Sequence, residues 1–432
     1  MGIRATPYSI PKYKYSQSSK QVYMLFFPEQ LTPKAVIHLV RILYVDTVSG
    51  VIIETPLIPV HASEVQVIDL QGGILSPGFI DIQINGCFGF DYSSAFNDKQ
   101  DKQSFLKAYN ESMGQLLEYG VTSICPTVTS SQQHVYHDVI PILGLKTRSS
   151  NKADSLGVHL EGPFISPIKK GCHPPEAITD MKHGYISLQE RYGQGFEQYA
   201  AIVTAAPEVQ GCSEIIPQLT TNSPTVFSIG HTMADFDLAL SAVHSGATMI
   251  THLYNAMPAH TARDVGVLGL ISATKDTLPS DKIPFYGIIA DGVHVHPSAV
   301  RAAYMANPSK TILVTDALYL IGLEDGHYQR GNQSVQKKGS LLLLQGTDTI
   351  AGSATHLIDC VHNLIKWTGI PLAEALATIT NNPATSLNIA HRKGFLRPGC
   401  DADLNILSAD GTLKEVYKLG QKIHGFKSKA AN

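Results

Sequence analysis

Several features that would fix a function class are missing from this sequence. No apolar run approaches the roughly 20 residues of a membrane-spanning helix, so no membrane partner is expected. Basic residues never cluster beyond short pairs, and 33 Lys and Arg face 36 Asp and Glu, for a formal charge of −3. That balance argues against a nucleic-acid surface. The six cysteines (Cys87, Cys125, Cys172, Cys212, Cys360 and Cys400) are scattered, with no C-x-x-C pair. With no secretory leader recognisable, free thiols and a reducing, cytoplasmic location are expected. No G-x-G-x-x-G follows a strand-like run, which weighs against a doubly wound sheet with a phosphate loop. Pro7 and Pro11 break any amphipathic helix near the start, so residues 1–20 are expected to be a flexible N-terminus rather than a transit peptide. Met1 to Thr6 fits an N-myristoylation pattern only formally.

What is present is enough chain for a large domain and a smaller one: 432 residues, 44% hydrophobic and 16% charged. Eighteen histidines are more than such a chain usually carries, which fits a metal site without proving one. The pattern centres on Ser228-Ile-Gly-His-Thr232 and Met249-Ile-Thr-His-Leu-Tyr-Asn-Ala-Met257. Each follows a β-prone run, and Ala234 to Ser245 between them reads as a helix, which makes a βαβ unit. In parallel α/β folds the working residues stand at the carboxyl ends of strands. His231 and His252 are so placed, and a third apolar run ends in Glu161. Two imidazoles and one carboxylate are the protein ligands of a catalytic zinc that leaves a position open for water. A single histidine there would more often be a structural hydrogen-bonder; two, with the glutamate, favour the metal.

Eight strand-like runs begin near Phe79, Val121, Leu156, Ala201, Thr225, Thr248, Phe285 and Thr311. Helical segments such as Ser104 to Tyr119 and Pro297 to Met305 separate most of them. Their tips carry Gln83 with Asn85, Thr127, Glu161, Glu208, His231, His252, Asp291 with His294, and Asp316. This predicts an α/β fold, a (β/α)8 TIM barrel over residues 78–390, with its site at the C-terminal face. Short β-prone runs in 21–77 and again in 391–432 predict a small discontinuous β-sandwich domain flanking the barrel.

A set of motifs then adds to this reading: Ser76-Pro-Gly-Phe-Ile-Asp81, His159-Leu-Glu-Gly-Pro-Phe164, Lys170-Gly-Cys-His-Pro174, Gly230-His-Thr232, Thr251 to Met257, Asp291-Gly-Val-His294, Val314-Thr-Asp-Ala317, Ile350-Ala-Gly-Ser353 and Gly399-Cys-Asp-Ala-Asp-Leu404. Together they resemble the N-acetylglucosamine-6-phosphate deacetylases of the amidohydrolase superfamily, over about residues 35–425. The resemblance implies metal-dependent hydrolysis of the acetamide of an amino-sugar 6-phosphate, a small-molecule partner. Many superfamily members open the barrel with His-x-His, which holds a second metal. Here Gln83-Ile-Asn85 stands there, and amides bind zinc poorly. One divalent ion per subunit, Zn2+, is therefore expected, on Glu161, His231 and His252.

The same resemblance distributes the other roles. Asp316 would take a proton from the attacking water and pass it to the leaving amine; the bland alternative is a helix N-cap. His173 would donate to the carbonyl oxygen, and Cys172 would meet substrate through its backbone. Asn255, Ala256 and Arg263 would hold the phosphate, Arg263 by its bidentate fork and across the interface of a homodimer. His294 would bind sugar or phosphate, with Asp291 shaping its loop. Ile350, Ala351 and Gly352 would line the sugar through main-chain contacts. His159 reads equally as support for the ligands or as a packed core residue. Two other functions compete: an amidohydrolase of unphosphorylated N-acyl amino acids or cyclic imides, and a non-catalytic barrel scaffold.

Overall fold

The computed structural model describes residues 23–27, 42–56, 65–94, 101–330, 333–347 and 350–424. The expected flexible segment 1–20, and the strand expectations over 36–41 and 425–426, lie outside them.

Eight parallel strands form a barrel: Phe79–Ile84, Val121–Thr129, Val158–Glu161, Ala200–Ala205, Val226–Ile229, Met249–Ile250, Phe285–Ile288 and Thr311–Leu313. Each pairs with the next in parallel register. The eighth returns to the first through a parallel bridge between Ile84 and Ala317. The Asp316 amide donates to the Gln83 carbonyl at 2.9 Å, and the Asn85 amide to the Ala317 carbonyl at 2.8 Å. Nearly every residue of these strands is buried on both faces, because helices cover the outside and side chains fill the inside. That is why they read as continuous apolar runs rather than as alternations. The expected strand starts agree with the observed ones to within two residues.

The helices form where expected, with ends shifted by a few residues. Phe236–His244 starts at Asp235, whose side chain accepts from the Leu238 amide at 2.9 Å. Its buried face is Ala239, Ala242 and Val243. Lys102–Gln115 starts at Asp101 in the same manner and tightens into a 3-10 turn, Leu116–Tyr119. Gly120, at φ 75°, then stops the turn and frees the chain to enter the second strand.

One feature differs from the plain eightfold pattern. Between strand eight and the helix Leu357–Thr368 lies an antiparallel sheet of Gly326–Arg330, Gln333–Lys338, Leu341–Leu344 and Ile350–Ser353. It has its own small core of Leu318, Leu320, Val335, Leu342, Ala351 and Ala354. It brings Ile350 to Ser353 back to the barrel mouth, where Ser353 bridges Ala317.

Two further four-stranded sheets come from the two ends of the chain. One holds Tyr23–Phe27, Leu43–Asp46, Val51–Ile53 and Val65–Asp69; the other holds Ile74–Pro77, Leu404–Leu407, Leu413–Lys418 and Gln421–Lys422. Leu43, Val45, Ile52, Leu70, Cys400, Ala402, Leu404, Ile406 and Tyr417 pack between them. A buried ionic cluster lies where this unit meets the barrel. Lys393 Nζ stands 2.6 Å from Asp154, 2.9 Å from Asp401 and 2.5 Å from Asp403. Lys418 Nζ reaches Asp154 at 2.8 Å and Asp403 at 2.9 Å. Arg148 and Arg392 close on Asp401, each at 2.9 Å. These three carboxylates could otherwise be taken for a metal site, but the lysine ammonium groups occupy their centre. The six cysteines are free. Among the described residues no helix is long and apolar enough to cross a membrane.

Candidate metal centre

At the C-terminal face, strands three, five and six deliver Glu161, His231 and His252 to one point. Glu161 Oε1 lies 3.2 Å from His231 Nε2 and 3.0 Å from His252 Nε2, and the two Nε2 atoms are 2.9 Å apart. All three side chains are almost fully buried. A tetrahedral zinc with bonds of about 2.0–2.1 Å holds its ligand atoms about 3.3 Å apart, so this triangle needs only a slight opening to receive one. His231 Nδ1 donates to the Lys169 carbonyl at 2.8 Å. That fixes the proton on Nδ1 and turns the Nε2 lone pair toward the triangle, the arrangement a ligating histidine requires. His252 Nδ1 is buried without a partner. Burial opposes the charge on Glu161, but the hydrogen bonds and charges of His231 and His252 outweigh it and hold the carboxyl well below its usual range. The donor set therefore fits a divalent ion.

The backbone at these tips is unusual. His231, His252 and Asp316 have φ of 49°, 29° and 46°, a left-handed region that residues with a Cβ rarely adopt. Such strain persists only where neighbours over-determine it. Around His231 they do. The Ser166 amide donates to the His231 carbonyl at 2.9 Å. Glu208, at the tip of strand four, accepts from the Met233 amide at 2.6 Å and from the Thr232 hydroxyl at 2.5 Å.

Asp316 follows strand eight, and the chain beyond it forms a bridge and turns rather than a helix, so the N-cap reading is set aside. Its carboxyl is pushed up to about 6 by burial and by the negative charge of Glu161. Asn85 Nδ2 donates to Asp316 Oδ1 at 2.7 Å. Gln83 Nε2 donates to Glu161 Oε1 at 3.0 Å.

His173 is buried beside His231, with ring centroids 4.5 Å apart. The Ser130 amide donates to its Nδ1 at 3.2 Å, and the Ser130 hydroxyl lies 2.7 Å from the same atom. A backbone N–H can only donate, so Nδ1 is bare and the proton sits on Nε2. His173 is thus set up as a donor. Ser130 gave no sign of this in the sequence, since a serine after a strand is ordinary.

The expected substrate residues divide into groups. Asn255 follows His252, donates from Nδ2 to the His294 carbonyl at 3.3 Å, and leaves Oδ1 buried without a partner. The Ala256 carbonyl accepts from the Thr232 amide at 3.1 Å. His294 Nδ1 is 2.7 Å from Asp291 Oδ2, while Asp291 Oδ1 accepts from the Val293 and His294 amides. Cys172, in the His173 loop, has its Sγ 4.0 Å from the Ala351 carbonyl, which joins that loop to the Ile350–Ser353 strand. Gly352, at φ 146°, lies under the Leu318 side chain, where a Cβ would sit 2.7 Å from it. Arg263 is exposed on the Thr261–Asp264 bend. His159 is a satisfied core residue beneath the site, with Nδ1 3.0 Å from the Ile82 carbonyl and Nε2 2.7 Å from Thr204 Oγ1. Burial pushes its pKa down to about 4.

Residues 74–423 match the amidohydrolase family. The chain belongs to that family. It is 41% identical over 357 residues to an N-acetylglucosamine-6-phosphate deacetylase of Danio rerio, covering 82% of this chain and 86% of the relative. Among solved structures it is similar to N-acetylglucosamine-6-phosphate deacetylase from Pasteurella multocida, with TM-score 0.75 and 28% identity over 88% of this chain and 94% of that one. A variant deacetylase from Mycobacterium smegmatis, in complex with N-acetyl-D-glucosamine-6-phosphate, matches with TM-score 0.73 and 25% identity over 93% and 98%. These matches agree with the resemblance drawn from the motifs, and the amidohydrolase barrel agrees with the eight-strand reading.

Proposed function

We propose that this chain hydrolyses N-acetyl-D-glucosamine 6-phosphate to D-glucosamine 6-phosphate and acetate. The observation that carries the reading is the convergence of Glu161, His231 and His252 beside Asp316, on a barrel whose relatives are deacetylases of that sugar phosphate. Glu161, His231 and His252 would hold one divalent ion, Zn2+ by their donor chemistry. When bound, the ion supplies the Lewis acidity that activates water and polarises an amide carbonyl.

The chain's own residues do the rest. Asp316 accepts the proton of the attacking water and returns it to the amine as the C–N bond breaks. A carboxylate held at this position can take the proton and return it. His173 donates from Nε2 to the carbonyl oxygen as negative charge grows there, a contribution of about 3 kcal/mol at comparable sites. Asn255, Ala256 and His294 hold the phosphate and sugar hydroxyls, and the orphaned Asn255 Oδ1 is a polar atom for substrate to satisfy. Ile350 to Gly352 and the Cys172 backbone line the sugar. Arg263, exposed on its bend, grips the phosphate of a neighbouring subunit in a homodimer. A cytoplasmic location completes the reading.

Acetate release from N-acetylglucosamine 6-phosphate and from the free sugar tests it, together with elemental analysis. Strong preference for the phosphorylated sugar and one tightly held ion per chain are expected. Equal turnover of both sugars would reject the phosphate assignment. Two ions surviving gel filtration would reject the single-metal one.

A further inference from the structure

The two amides on the first barrel strand do more than fill space. Gln83 lies near the end of that strand, Phe79–Ile84, and Asn85 directly follows it. Both are nearly fully buried. Gln83 spends its Nε2 on Glu161 Oε1 at 3.0 Å, the oxygen that also faces both histidines. Asn85 spends its Nδ2 on Asp316, reaching Oδ1 at 2.7 Å and the backbone carbonyl at 3.2 Å. The orientation of the Asn85 amide follows from its neighbours. A carboxylate oxygen and a carbonyl oxygen are both acceptors, so the atom between them must be the nitrogen. Its oxygen is left buried and unpartnered, so Asp316 is what anchors this side chain.

Glu161 and Asp316 both stand at the C-terminal face of the barrel, Glu161 ending strand three and Asp316 following strand eight. One strand supplies a neutral donor to each. A donated hydrogen bond fixes which lone pairs of a carboxylate remain free. We infer that Gln83 and Asn85 are a matched pair of positioning residues, one holding Glu161 for the metal and the other holding Asp316 for proton transfer. This rests on the deacetylase reading in which Asp316 carries the proton. Their backbones belong to the same device. The Asp316 amide donates to the Gln83 carbonyl and the Asn85 amide to the Ala317 carbonyl, so the strand that closes the barrel also sets the distance of Asp316 from its partner.

The two arms predict different failures, and metal retention separates them. Gln83→Leu is expected to weaken metal binding roughly 10–100-fold, the usual effect of removing a partner behind a ligand, as read by competition with a chelator. Asn85→Leu is expected to leave metal content and KM near the parent values and to lower kcat roughly 10–100-fold. The deciding measurement is a double-mutant cycle with Asp316→Asn. If Asn85 acts through Asp316, Asn85→Leu costs little further activity in the Asp316→Asn background. An equal fold-loss in both backgrounds overturns the positioning role for Asn85. Unchanged chelator competition in Gln83→Leu overturns it for Gln83. Should Asn85→Leu fail to fold, Asn85→Ser, whose hydroxyl is too short to reach, replaces it in the cycle. Near-normal turnover of fully metallated Asp316→Asn would instead remove the proton-transfer reading on which the Asn85 arm depends, and that outcome is visible before Asn85 is touched.

Discussion

Asp316 and Arg263 show how differently two single residues can be tested. Asp316→Asn keeps the shape of the side chain and an acceptor for Asn85, but cannot take a proton. Turnover is expected to fall about 10²–10⁴-fold, the worth of a positioned acid–base group, with metal content unchanged if Glu161, His231 and His252 hold the ion as proposed. Stopped assays on metal-quantified protein check this. In the proposed role, Arg263→Ala would remove a bidentate, charge-assisted contact of about 1.5–3 kcal/mol. KM for the phosphorylated sugar is then expected to rise about 10–100-fold, with little change for the free sugar; equal effects on both would remove Arg263 from the phosphate site. The residue scale was largely legible in the sequence. Glu161, His231, His252, His173 and Asp316, singled out from strand tips and motifs, lie together in the structure. His159 was not decidable, because two residues before a ligand on a strand can mean either support or filling. Its partners, the Ile82 carbonyl and Thr204 hydroxyl, come from strands one and four, and nothing local announces them.

At the scale of elements, the parallel strands were readable because burial on both faces demands continuous apolar runs. The helices were readable because caps and 3.6-residue periodicity are local properties. Asp235 illustrates this: its side chain accepts from the Leu238 amide and starts the helix that links the two histidine strands. Asp235→Ala is expected to cost about 1 kcal/mol of stability, measured by urea unfolding, with the metal site intact in the folded fraction. The sheet inserted after strand eight was not anticipated. Gln333–Lys338 is mostly polar, and Leu341–Leu344 is a short run of one residue type. Neither shows the β-branched alternation that marks a half-buried strand. Antiparallel pairing with their neighbours, together with a private core around Val335 and Leu342, makes them strands all the same.

At the scale of the molecule, the cluster of Asp154, Asp401, Asp403, Lys393 and Lys418 ties the chain's end to the base of the barrel. In Asp403 burial opposes ionisation, but the charges of Lys393 and Lys418 win and hold the carboxyl below its ordinary 3.8. In Lys393 burial is likewise outweighed, by Asp403, Asp154 and Asp401, so its ammonium is held above 10.5. The depressed carboxyl contributes stability above pH 3.8 that is lost as pH falls through its folded value. The raised ammonium contributes fully below 10.5, and that share is lost as pH rises through its folded value. Between those limits these two contributions are level, while Lys418, whose ammonium pKa burial lowers below 10.5, opposes folding until it loses its proton. Asp403→Asn leaves buried lysine charge under-compensated and is expected to cost about 3–5 kcal/mol at neutral pH. Denaturant titrations should show the gap to the parent narrowing below pH 3.8, as the parent's own carboxylate is protonated.

By itself the sequence determined what depends on neighbours along the chain: strand and helix periods, capped helix starts, and histidines and carboxylates at the ends of apolar runs. Those patterns carried the barrel, the candidate metal ligands and the amidohydrolase resemblance, since each is written within a few consecutive residues. Only the tertiary structure decided which distant groups meet. Gln83 finds Glu161 across 78 positions, Asn85 finds Asp316 across 231, and Lys418 finds Asp154 across 264. These contacts follow from barrel closure and from folding both chain ends against its base. A hydrogen bond formed that way depends on the angle and register of whole strands, which composition and spacing do not encode.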